Sequence, residues 1–569
     1  MDSSPSRCPG ANLSMVYFDH HDCTLGNLNL LRISRLSILS KASLLPLLAA
    51  AIWLMFYTAW VSDDAYITFR SLENFLAGYG PVYNVGERVQ TFTHPLWFFL
   101  QAGINAITQR IGALNPWAQV YFVSLYLCIA LSSGAILILV FGLARSLKGA
   151  LLCLAALMLS KAFIDYTTSG LENALSYFLL AAFLYVLFLP GELRLWRFFG
   201  LALIAGLATL NRMDTILLFI PALVYAFRQS KASKKAAFLL GLGFLPFFIW
   251  ELFSLFYYGF PFPNTAYAKL NTGISKLELI QQGLYYYRSS ILLDPIILVV
   301  LAGSLAWFLW KGLSQHRMVV IGVLAYLVYI LYIGGDFMGA RFFAVPLLAC
   351  AALLSTIEYK SRLAYAGIML VIILVGLLNP LTPLRNQRGY DPVDPQQLID
   401  EYGVADERLY YYHDMGLLST SREKAFPGSV HAGRKWVFNP EKRKVVLVGP
   451  LGVKGYQAGP NIHMIDRNAL ADPLMVRLPL IDPRYWRIGH FKHIIPEGYL
   501  NTLGTGKNKI RDPNLARYYD ILAFVTRGPL WDARRLVEIV KLNTGAYDSL
   551  LVAYIKDWEI QGRPIDPYK

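Results

Sequence analysis

The chain has 569 residues, of which 56% are hydrophobic and only 16% are charged, and its mean hydropathy is +0.43. Soluble domains average about 25% charged residues, so the composition excludes an ordinary soluble protein and indicates a membrane protein with further domains. The net charge of +15 is explained better by basic cytoplasmic loops than by nucleic-acid binding. The five cysteines are scattered, which indicates neither a disulfide framework nor a zinc site.

The first predicted membrane-spanning helix covers residues 42–60, a long apolar run that follows basic residues. The apolar region arrives late and no small-residue cleavage site follows it, so the pattern argues against a signal peptide. Basic residues flank membrane spans on the cytoplasmic side. Residues 1–43 are therefore expected to be a cytoplasmic N-terminal segment, with Met15 as an alternative start.

Further apolar stretches alternate with loops that are basic on one side and rich in carboxylates and amides on the other. The acidic loops 61–94 and 161–172 share a side only if an even number of spans separates them. Segment 95–109 contains three amide side chains, so we interpret it as re-entrant or interfacial. This predicts about eleven spans within a transmembrane domain of residues 44–383, with the C-terminus outside the cytoplasm. The other stretches are 118–142, 149–163, 173–190, 198–211, 215–227, 236–257, 292–310, 318–333, 342–357 and 363–380.

Asp63 and Asp64 are the most informative pair in the sequence, and they follow the first apolar stretch directly. Adjacent carboxylates at a membrane boundary are costly unless they are solvated, paired or bound to a metal ion. The same predicted loop carries Glu87, His94 and aromatic residues such as Tyr66. Aromatic rings stack on sugar faces and carboxylates accept hydrogen bonds from hydroxyl groups, which indicates carbohydrate binding. An interfacial aromatic belt with solvated acids explains the loop equally well.

Charged and amide residues also interrupt the apolar pattern at other loops on this side. Charges within an apolar run either pair with one another or line a functional pathway. Arg and Lys are natural partners for a phosphate group, so Arg341 and Lys269 are candidate contacts for a lipid-linked phosphate. Pairing inside the helix bundle is the alternative explanation for Glu172, Arg212, Asp214 and Asp336. The residues concerned are Glu172, Arg212, Asp214, Asn264, Lys269, Asp336 and Arg341.

The composition changes after the last apolar stretch, because Asp, Arg, Pro and Gly become frequent and no later run is long enough to span a membrane. Residues 384–569 are therefore expected to form a periplasmic soluble domain of mixed α/β type. Residues 444–449 and 462–465 are predicted strands. Residues 515–524 and 533–542 have helical spacing.

These features together resemble the GT-C superfamily of membrane glycosyltransferases, which use polyprenyl-phosphate sugar donors and act outside the cytoplasm. The acidic pair is similar to their first-loop motif. A narrower resemblance covers nearly the whole chain beyond residue 43. It is to the terminal arabinofuranosyltransferases of the mycobacterial cell wall and to enzymes that arabinosylate type IV pilins. The motifs that carry it are residues 63–70, 86–89, 94–97, 169–173, 263–269, 334–343, 465–474, 486–491 and 495–499.

The resemblance implies an α-helical polytopic enzyme of a bacterial inner membrane with a periplasmic active site. Asp63 is implied as the base that deprotonates an acceptor hydroxyl, with direct inverting displacement of polyprenyl phosphate. Asp64 is implied to orient the acceptor or to hold a divalent cation such as Mg, Mn or Ca, and no organic cofactor is expected. Arg341, Lys269 and Arg212 would contact the donor phosphate. The residues implied to meet the sugar or acceptor are Glu172, Asp336, Asn264, Glu87, His94 and Tyr66.

The sequence therefore predicts a glycosyltransferase that moves a sugar, foremost D-arabinofuranose, to a pilin or to a glycan of the cell envelope. Another lipid-linked sugar such as mannose is an alternative donor. A transporter or flippase of lipid-linked sugars would show paired hydrophobic halves with broken helices, and the sequence has no internal repeat. A third alternative is a binding or assembly protein whose tail docks a polymer. In that case the tail alone would suffice and the acidic pair would be dispensable. Nucleic acid is not an expected partner.

Overall fold

The computed structural model describes residues 36–111, 116–231, 233–270, 272–385, 398–419, 436–560 and 562. Most of the predicted N-terminal segment, residues 1–35, lies outside the described residues. The described chain is mostly helical, as the apolar pattern predicts. The helices before residue 380 are α1 (Ile38–Tyr57), α2 (Asp63–Leu76), α3 (Pro95–Ile111), α4 (Pro116–Leu137), α5 (Leu147–Leu159), α6 (Lys161–Asp165), α7 (Asn173–Leu187), α8 (Leu195–Asn211), α9 (Ile216–Gln229), α10 (Lys234–Gly243), α11 (Leu245–Tyr257), α12 (Asn264–Leu270), α13 (Lys276–Leu293), α14 (Ile296–Lys311), α15 (Ser314–Ile333), α16 (Arg341–Ser355) and α17 (Arg362–Leu378).

The predicted first span is confirmed as a helix, α1. Its N-terminus is capped by Ser37, whose hydroxyl oxygen accepts a hydrogen bond from the backbone N–H of Ser40 at 3.1 Å. This contact satisfies one of the donors that a helix start leaves unpaired. Ile38 and Leu39 are exposed, as expected for apolar side chains that face lipid.

Membrane-spanning capacity is concentrated in a few of the described helices. Three helical segments are each long and apolar enough to cross a membrane, namely α1, Val120–Leu143 and α15. Two bent pairs meet the same requirement together, α10 with α11 at 51° and α13 with α14 at 109°, which brings the number to five. The predicted total of about eleven spans stays a prediction. The shorter apolar helices, of 10–17 residues, are α5, α7, α8, α16 and α17.

The apolar stretch at 292–310 corresponds to α14, and only its first residues belong to α13. Helix α13 ends at Leu293, and α14 begins at Ile296 after a break at Asp294. Pro295 lacks a backbone N–H, so it favours an end or a start of a helix at this point. A run of apolar residues in the sequence therefore carries no information about this 109° bend.

The segment interpreted as re-entrant or interfacial is a regular helix, α3. It packs against α2, α4 and α8. Its amide residues Gln101 and Asn105 are fully buried, and Asn105 Nδ2 donates a hydrogen bond to the carbonyl oxygen of Gln101 at 2.8 Å. Within the described residues, α3 does not meet the length and hydropathy requirement for a span. Its position relative to the membrane stays a prediction.

Helix α16 forms the centre of the helical bundle. All of its residues are buried, and it packs against α5, α7, α14 and α15. The run Ala349–Ala352 supplies small side chains, which let neighbouring helices approach closely in membranes. Because Arg341 is the first residue of this helix, the bundle fixes its guanidinium group near the start of α2, where it interacts electrostatically with Asp64.

The C-terminal tail, described at residues 398–419 and 436–560, combines helices with a two-stranded parallel sheet. Residue Lys444 pairs with Ile462 and Val448 with Asp466. Both predicted strands and both predicted helices of the tail are confirmed, within a few residues at their ends; that the tail is a separate domain stays a prediction. The elements are α18 (Glu407–Met415), β1 (Lys444–Val448), α19 (Gly452–Ala458), β2 (Ile462–Asp466), α20 (Tyr499–Thr505), α21 (Pro513–Arg527), α22 (Ala533–Asn543) and α23 (Asp548–Ile560).

The tail is held against the first loop by hydrogen bonds from buried side chains. The guanidinium group of Arg70 donates to the carbonyl oxygens of Gly455 at 2.5 Å and Ile462 at 2.6 Å. Tyr83 donates its hydroxyl hydrogen to the carbonyl oxygen of Leu451 at 2.6 Å. Because these donors bind main-chain oxygens of α19, β2 and the segment before them, the residues around the acidic pair and the tail form one packed structure.

A second contact between tail and bundle is ionic. Asp165 pairs with Lys161 at 2.5 Å and with Arg408 at 2.6 Å, and Lys161 also pairs with Asp406 at 3.0 Å. All four side chains are buried. Buried charges are retained only when they are paired, so this cluster fixes α18 on α6, the short helix that follows α5.

Candidate active site

The acidic pair occupies the first turn of α2. Ser62 caps this helix, and its hydroxyl oxygen accepts a hydrogen bond from the N–H of Ala65 at 3.3 Å. The backbone N–H of Ser62 in turn donates to the carbonyl oxygen of Ser169 at 2.9 Å. The predicted loops 61–94 and 161–172 therefore meet here, as expected for loops on one side of a membrane.

A glycine permits this close approach of the two loops. Gly170 has a φ of +78°, a conformation that residues with a β-carbon rarely adopt. A β-carbon at this position would also lie 2.9 Å from that of Ala65, at the start of α2. Substitution of Gly170 would therefore displace the helix that carries the acidic pair.

A cleft of about 610 Å³ opens beside the acidic pair, between the helical bundle and the tail. Of the residues predicted from the sequence as functional, it brings together Asp63, Asp64 and Lys269. The tail supplies the opposite wall, with several charged and aromatic side chains. These are Glu407, Tyr410, Tyr411, Arg467, Arg487, His490 and Lys492.

Asp63 is held by the tail. Its Oδ1 accepts a hydrogen bond from the backbone N–H of Val453 at 2.9 Å. A β-carbon at Gly452 would overlap the Asp63 carboxylate, so only glycine allows the backbone to come this close. Burial, together with the neighbouring charge of Asp64, raises the pKa of Asp63 from 3.8 to about 6. A general base works best when its pKa lies near the ambient pH, and this environment moves Asp63 in that direction.

Asp64 lies between the cleft and a set of buried charges. Burial raises its pKa, and the nearby cations Lys269 and Arg341 oppose that rise. The ammonium group of Lys269 is 5.5 Å from the centroid of the Phe337 ring. Within the described residues Lys269 forms no ion pair, so its charge is directed to the cleft. It is well placed to meet an anionic ligand.

A buried network of ion pairs, which we call the Glu172 network, lies next to the cleft and does not line it. Glu172 Oε1 accepts from Arg212 Nη1 and from Arg341 Nη2, both at 2.8 Å. Arg212 also pairs with Asp214 at 2.7 Å, and Arg341 with Asp336 at 3.5 Å. Although burial raises the pKa of Glu172, the two guanidinium groups hold it well below its usual value.

His94 connects the Glu172 network with the helix of the acidic pair. Its Nδ1 lies 3.4 Å from Glu172 Oε2, and its Nε2 lies 2.9 Å from Thr68 Oγ1, one helical turn after Asp64. Burial lowers the pKa of His94 to about 4, against the attraction of Glu172. The imidazole is therefore neutral at physiological pH.

The network matches the alternative interpretation of internal ion pairs that the sequence left open for Arg212, and Arg341 joins it as a further partner. Both guanidinium groups are committed to carboxylates, and neither residue lines the cleft. Glu172 and Asp336 are their partners. Contact of these residues with donor phosphate or sugar stays a prediction, and Lys269 is the predicted phosphate contact that faces the cleft.

Three residues predicted to bind sugar or acceptor bind other parts of the protein in this structure. Asn264 Nδ2 donates to carbonyl oxygens of the tail, including that of Ala469 at 2.7 Å. Glu87 accepts from Arg527 at 2.8 Å. Tyr66 packs edge-on against Phe69, with 5.0 Å between ring centroids. These contacts explain each side chain by packing or anchoring, and none of the three lines the cleft.

Sequence reasoning did not single out Glu407, which faces the acidic pair from α18. Burial and the charges of Asp64, Asp336 and Asp63 keep its pKa well above the usual range. No pattern around residue 407 distinguishes it from a surface glutamate. Arg467, Arg487 and His490 do lie in tail segments singled out by the resemblance, but nothing in those segments predicts their position opposite Asp63.

The donor set for a divalent cation is incomplete. Among the described residues no group of three or more His, Cys, Asp or Glu side chains has the spacing of metal ligands. Asp64 contributes a single carboxylate. The charges that act on it are those of Lys269 and Arg341 as well as those of Asp336 and Glu172. These residues do not fit a metal held by protein ligands alone. A metal requirement stays a prediction.

The chain is similar to one family of known proteins and to two named enzymes. Residues 106–252 match a family model described as "Dolichyl-phosphate-mannose-protein mannosyltransferase". The chain is 25% identical to a terminal β-(1→2)-arabinofuranosyltransferase of Mycobacterium tuberculosis over 535 residues, which cover 78% of this chain and 82% of that protein. It is 26% identical to the protein of the same name from Corynebacterium glutamicum over 343 residues, which cover 52% of this chain and 48% of that protein.

The family match and the two relatives support a membrane glycosyltransferase of the GT-C type. Both relatives are named for the same activity, which narrows the class of glycosyltransferase. Within the class the chain is arabinofuranosyltransferase-like.

Proposed function

We propose that this protein transfers D-arabinofuranose from a polyprenyl-phosphate donor to an acceptor on the periplasmic side of a bacterial inner membrane. The observation that carries the proposal is the cleft, in which Asp63, Asp64 and Lys269 meet beside the helical bundle. The activity named for both relatives supports arabinofuranose as the sugar. The acceptor is a glycan of the cell envelope or a protein such as a pilin.

Asp63 acts as the base. Its carboxylate takes the proton of an acceptor hydroxyl while the hydroxyl oxygen attacks the anomeric carbon of the donor. The bond between that carbon and the phosphate oxygen breaks on the opposite face, so the configuration inverts. Polyprenyl phosphate leaves with the electron pair, and Asp63 ends the step as a carboxylic acid. A positioned base of this kind contributes about 10²–10⁴-fold to the rate.

The cations of the cleft stabilise the departing phosphate. Lys269 interacts electrostatically with Asp64, and Arg487 and Lys492 lie on the tail wall. Charge-assisted hydrogen bonds from such groups to phosphate oxygens are about twice as strong as neutral ones. Asp64 balances the charge of Lys269 and orients the acceptor hydroxyl. If a divalent cation binds, Asp64 is the residue that would contribute a ligand, and no step above depends on it.

The Glu172 network positions the site. Arg341 interacts electrostatically with Asp64 and is fixed by Glu172 and Asp336. His94 links Glu172 to Thr68 on the same helix as the acidic pair. These contacts hold the charge distribution around Asp64 constant while substrates exchange.

Sugar transfer by the purified full-length protein tests the proposal. The assay supplies synthetic polyprenyl-phospho-arabinofuranose with a short arabinan or a pilin peptide, for wild type and Asp63→Asn. Asp557→Asn, the same chemical change at an exposed position outside the cleft, is the matched control. We expect transfer by wild type and Asp557→Asn, and its loss in Asp63→Asn. Full activity of Asp63→Asn would contradict the role of the base.

Mannose is the second candidate sugar, because the matching family model carries mannose in its description. Polyprenyl-phospho-mannose is therefore the competing donor in the same assay. Transfer of mannose alone would keep the reaction class and replace the sugar. Movement of either lipid across the membrane without transfer would favour the flippase interpretation.

A further inference from the structure

We propose that a groove on the tail binds an extended glycan acceptor and feeds its end into the cleft. The groove has a volume of about 390 Å³. The inference rests on the proposed function and deepens it, because it assigns the acceptor to the class of oligosaccharides. The residues that line the groove are Arg467, Leu480, Ile481, Asp482, Tyr485, Trp486 and Lys492.

The groove adjoins the cleft. Arg467 and Lys492 line both cavities, so a chain-like ligand that passes these two side chains enters the cleft that Asp63 lines. A single sugar fills only part of the two adjoining volumes of about 610 and 390 Å³. Their extent suits a ligand of several sugar units.

The backbone around the groove is rigidly connected, so the site is preformed. The N–H of Ile481 donates to the carbonyl oxygen of Lys492 at 2.8 Å, and that of His493 donates to the carbonyl oxygen of Arg467 at 2.7 Å. Leu480 and His493 form an antiparallel bridge. Three separate segments of the tail therefore hold a fixed distance from one another, which reduces the cost of ordering the site on binding.

The side chains of the groove have the chemistry that carbohydrates need. Tyr485 is 82% exposed, and its ring centroid lies 5.8 Å from the Arg484 guanidinium group. Trp486 is half-buried and packs against Phe491 with 5.7 Å between ring centroids. Aromatic faces stack on the C–H faces of sugars, and Lys492 can donate hydrogen bonds to hydroxyl groups, while Asp482 is paired with Arg484 at 2.9 Å.

A glycan explains this combination better than a peptide. The groove offers ring faces and charged side chains, while its strand-like backbone is already paired at Ile481 and His493. A peptide that binds as an added strand needs an unpaired edge. Sugar hydroxyls need only side-chain donors and acceptors, which the groove supplies.

Acceptor-length kinetics test the proposal. The full-length protein receives polyprenyl-phospho-arabinofuranose and either a disaccharide or an octasaccharide of arabinofuranose. The variant is Tyr485→Ala, with Tyr485→Phe as a conservative change that keeps the ring. Trp531→Ala is the matched control, because Trp531 is equally exposed, at 83%, and does not line the groove.

We expect Tyr485→Ala to raise the KM for the octasaccharide about tenfold, with the KM for the disaccharide, the KM for the donor and kcat unchanged. Tyr485→Phe and Trp531→Ala should behave as wild type. An unchanged KM for the octasaccharide, or an equal rise for both acceptors, would overturn the proposal.

A binding measurement separates the groove from the reaction. Saturation-transfer NMR reports contact between the octasaccharide and the Asp63→Asn protein, which does not turn over. Signals that Tyr485→Ala removes from this protein support the groove even if transfer has failed. If a pilin peptide depends on Tyr485 for binding and the octasaccharide does not bind, the glycan assignment is wrong.

Discussion

The cleft and the Glu172 network contain similar side chains in opposite states of pairing. In the network every carboxylate faces a guanidinium group, at 2.7 to 3.5 Å in the closest contacts. In the cleft the carboxylates Asp63 and Glu407 have raised pKa values because burial is only partly compensated by cations. The difference indicates that the network contributes to stability and that reactivity belongs to the cleft, where charge is left for a substrate.

Replacement of Asp63 should give the largest effect on activity. Asp63→Asn keeps the size of the side chain and removes its capacity to accept a proton. We expect kcat to fall about 10²–10⁴-fold, with the unfolding temperature unchanged because no ion pair is lost. Single-turnover assays and thermal unfolding measure the two quantities, and a large loss of stability would contradict the division between cleft and network.

Replacement of Glu172 should have the opposite pattern, with its main effect on stability. Glu172→Gln leaves Arg212 and Arg341 buried without their shared carboxylate, and loss of one partner of a buried ion pair costs about 3–5 kcal/mol. Glu497→Gln is the matched control, since it breaks the exposed pair with Arg511 at 2.9 Å, which is worth about 0–1 kcal/mol. Denaturant unfolding measures both. Equal effects of the two changes would show that the network is not a stabilising element.

Lys269 tests the assignment of the phosphate contact. Lys269→Gln removes the cation that approaches Asp64, and we expect the KM for the donor to rise about tenfold or more. Lys269→Arg should retain most of the affinity because the charge remains. The acceptor KM serves as the internal control, and a change confined to that value would reassign Lys269 to the acceptor.

The pH dependence gives the smallest and most specific test. Asp63 must be ionised to accept a proton, and its pKa is raised to about 6 by burial and by Asp64. We therefore expect kcat/KM to fall tenfold per pH unit below about 6 and to level off above it. Lys454 lowers this pKa, so Lys454→Gln should move the inflection to higher pH. An inflection that does not respond would belong to another group.

Part of the site was predictable from the sequence, because Asp63, Asp64 and Lys269 lie at the ends of apolar segments where charge is conspicuous. The charge pattern also predicted that loops 61–94 and 161–172 lie on one side of the membrane, and the structure brings them into contact. Which charges neutralise one another is decided by helix packing, so the pairing of Glu172 with two arginines did not follow from spacing.

The tail shows a different limit to what can be predicted from the sequence. Its strands and two of its helices were predictable from hydrophobic periodicity. The position of Glu407 opposite Asp63 was not, because it follows from the buried ion pairs of Lys161 with Asp406 and of Asp165 with Arg408. Contact of Asn264 with sugar or acceptor, which the resemblance implies, stays a prediction. Its hydrogen bonds to carbonyl oxygens about 200 positions later in the chain could not be read from the sequence.

The hydrogen bond from the N–H of Val453 to Asp63 joins positions 390 residues apart. A chain emerging from the ribosome inserts α1 and presents its acidic pair long before α19 has been synthesised. Asp63, which we propose as the base, then lacks both the amide that holds its carboxylate and the wall that removes it from water. We therefore expect a chain that ends before α19 to be inactive even when its membrane helices have formed.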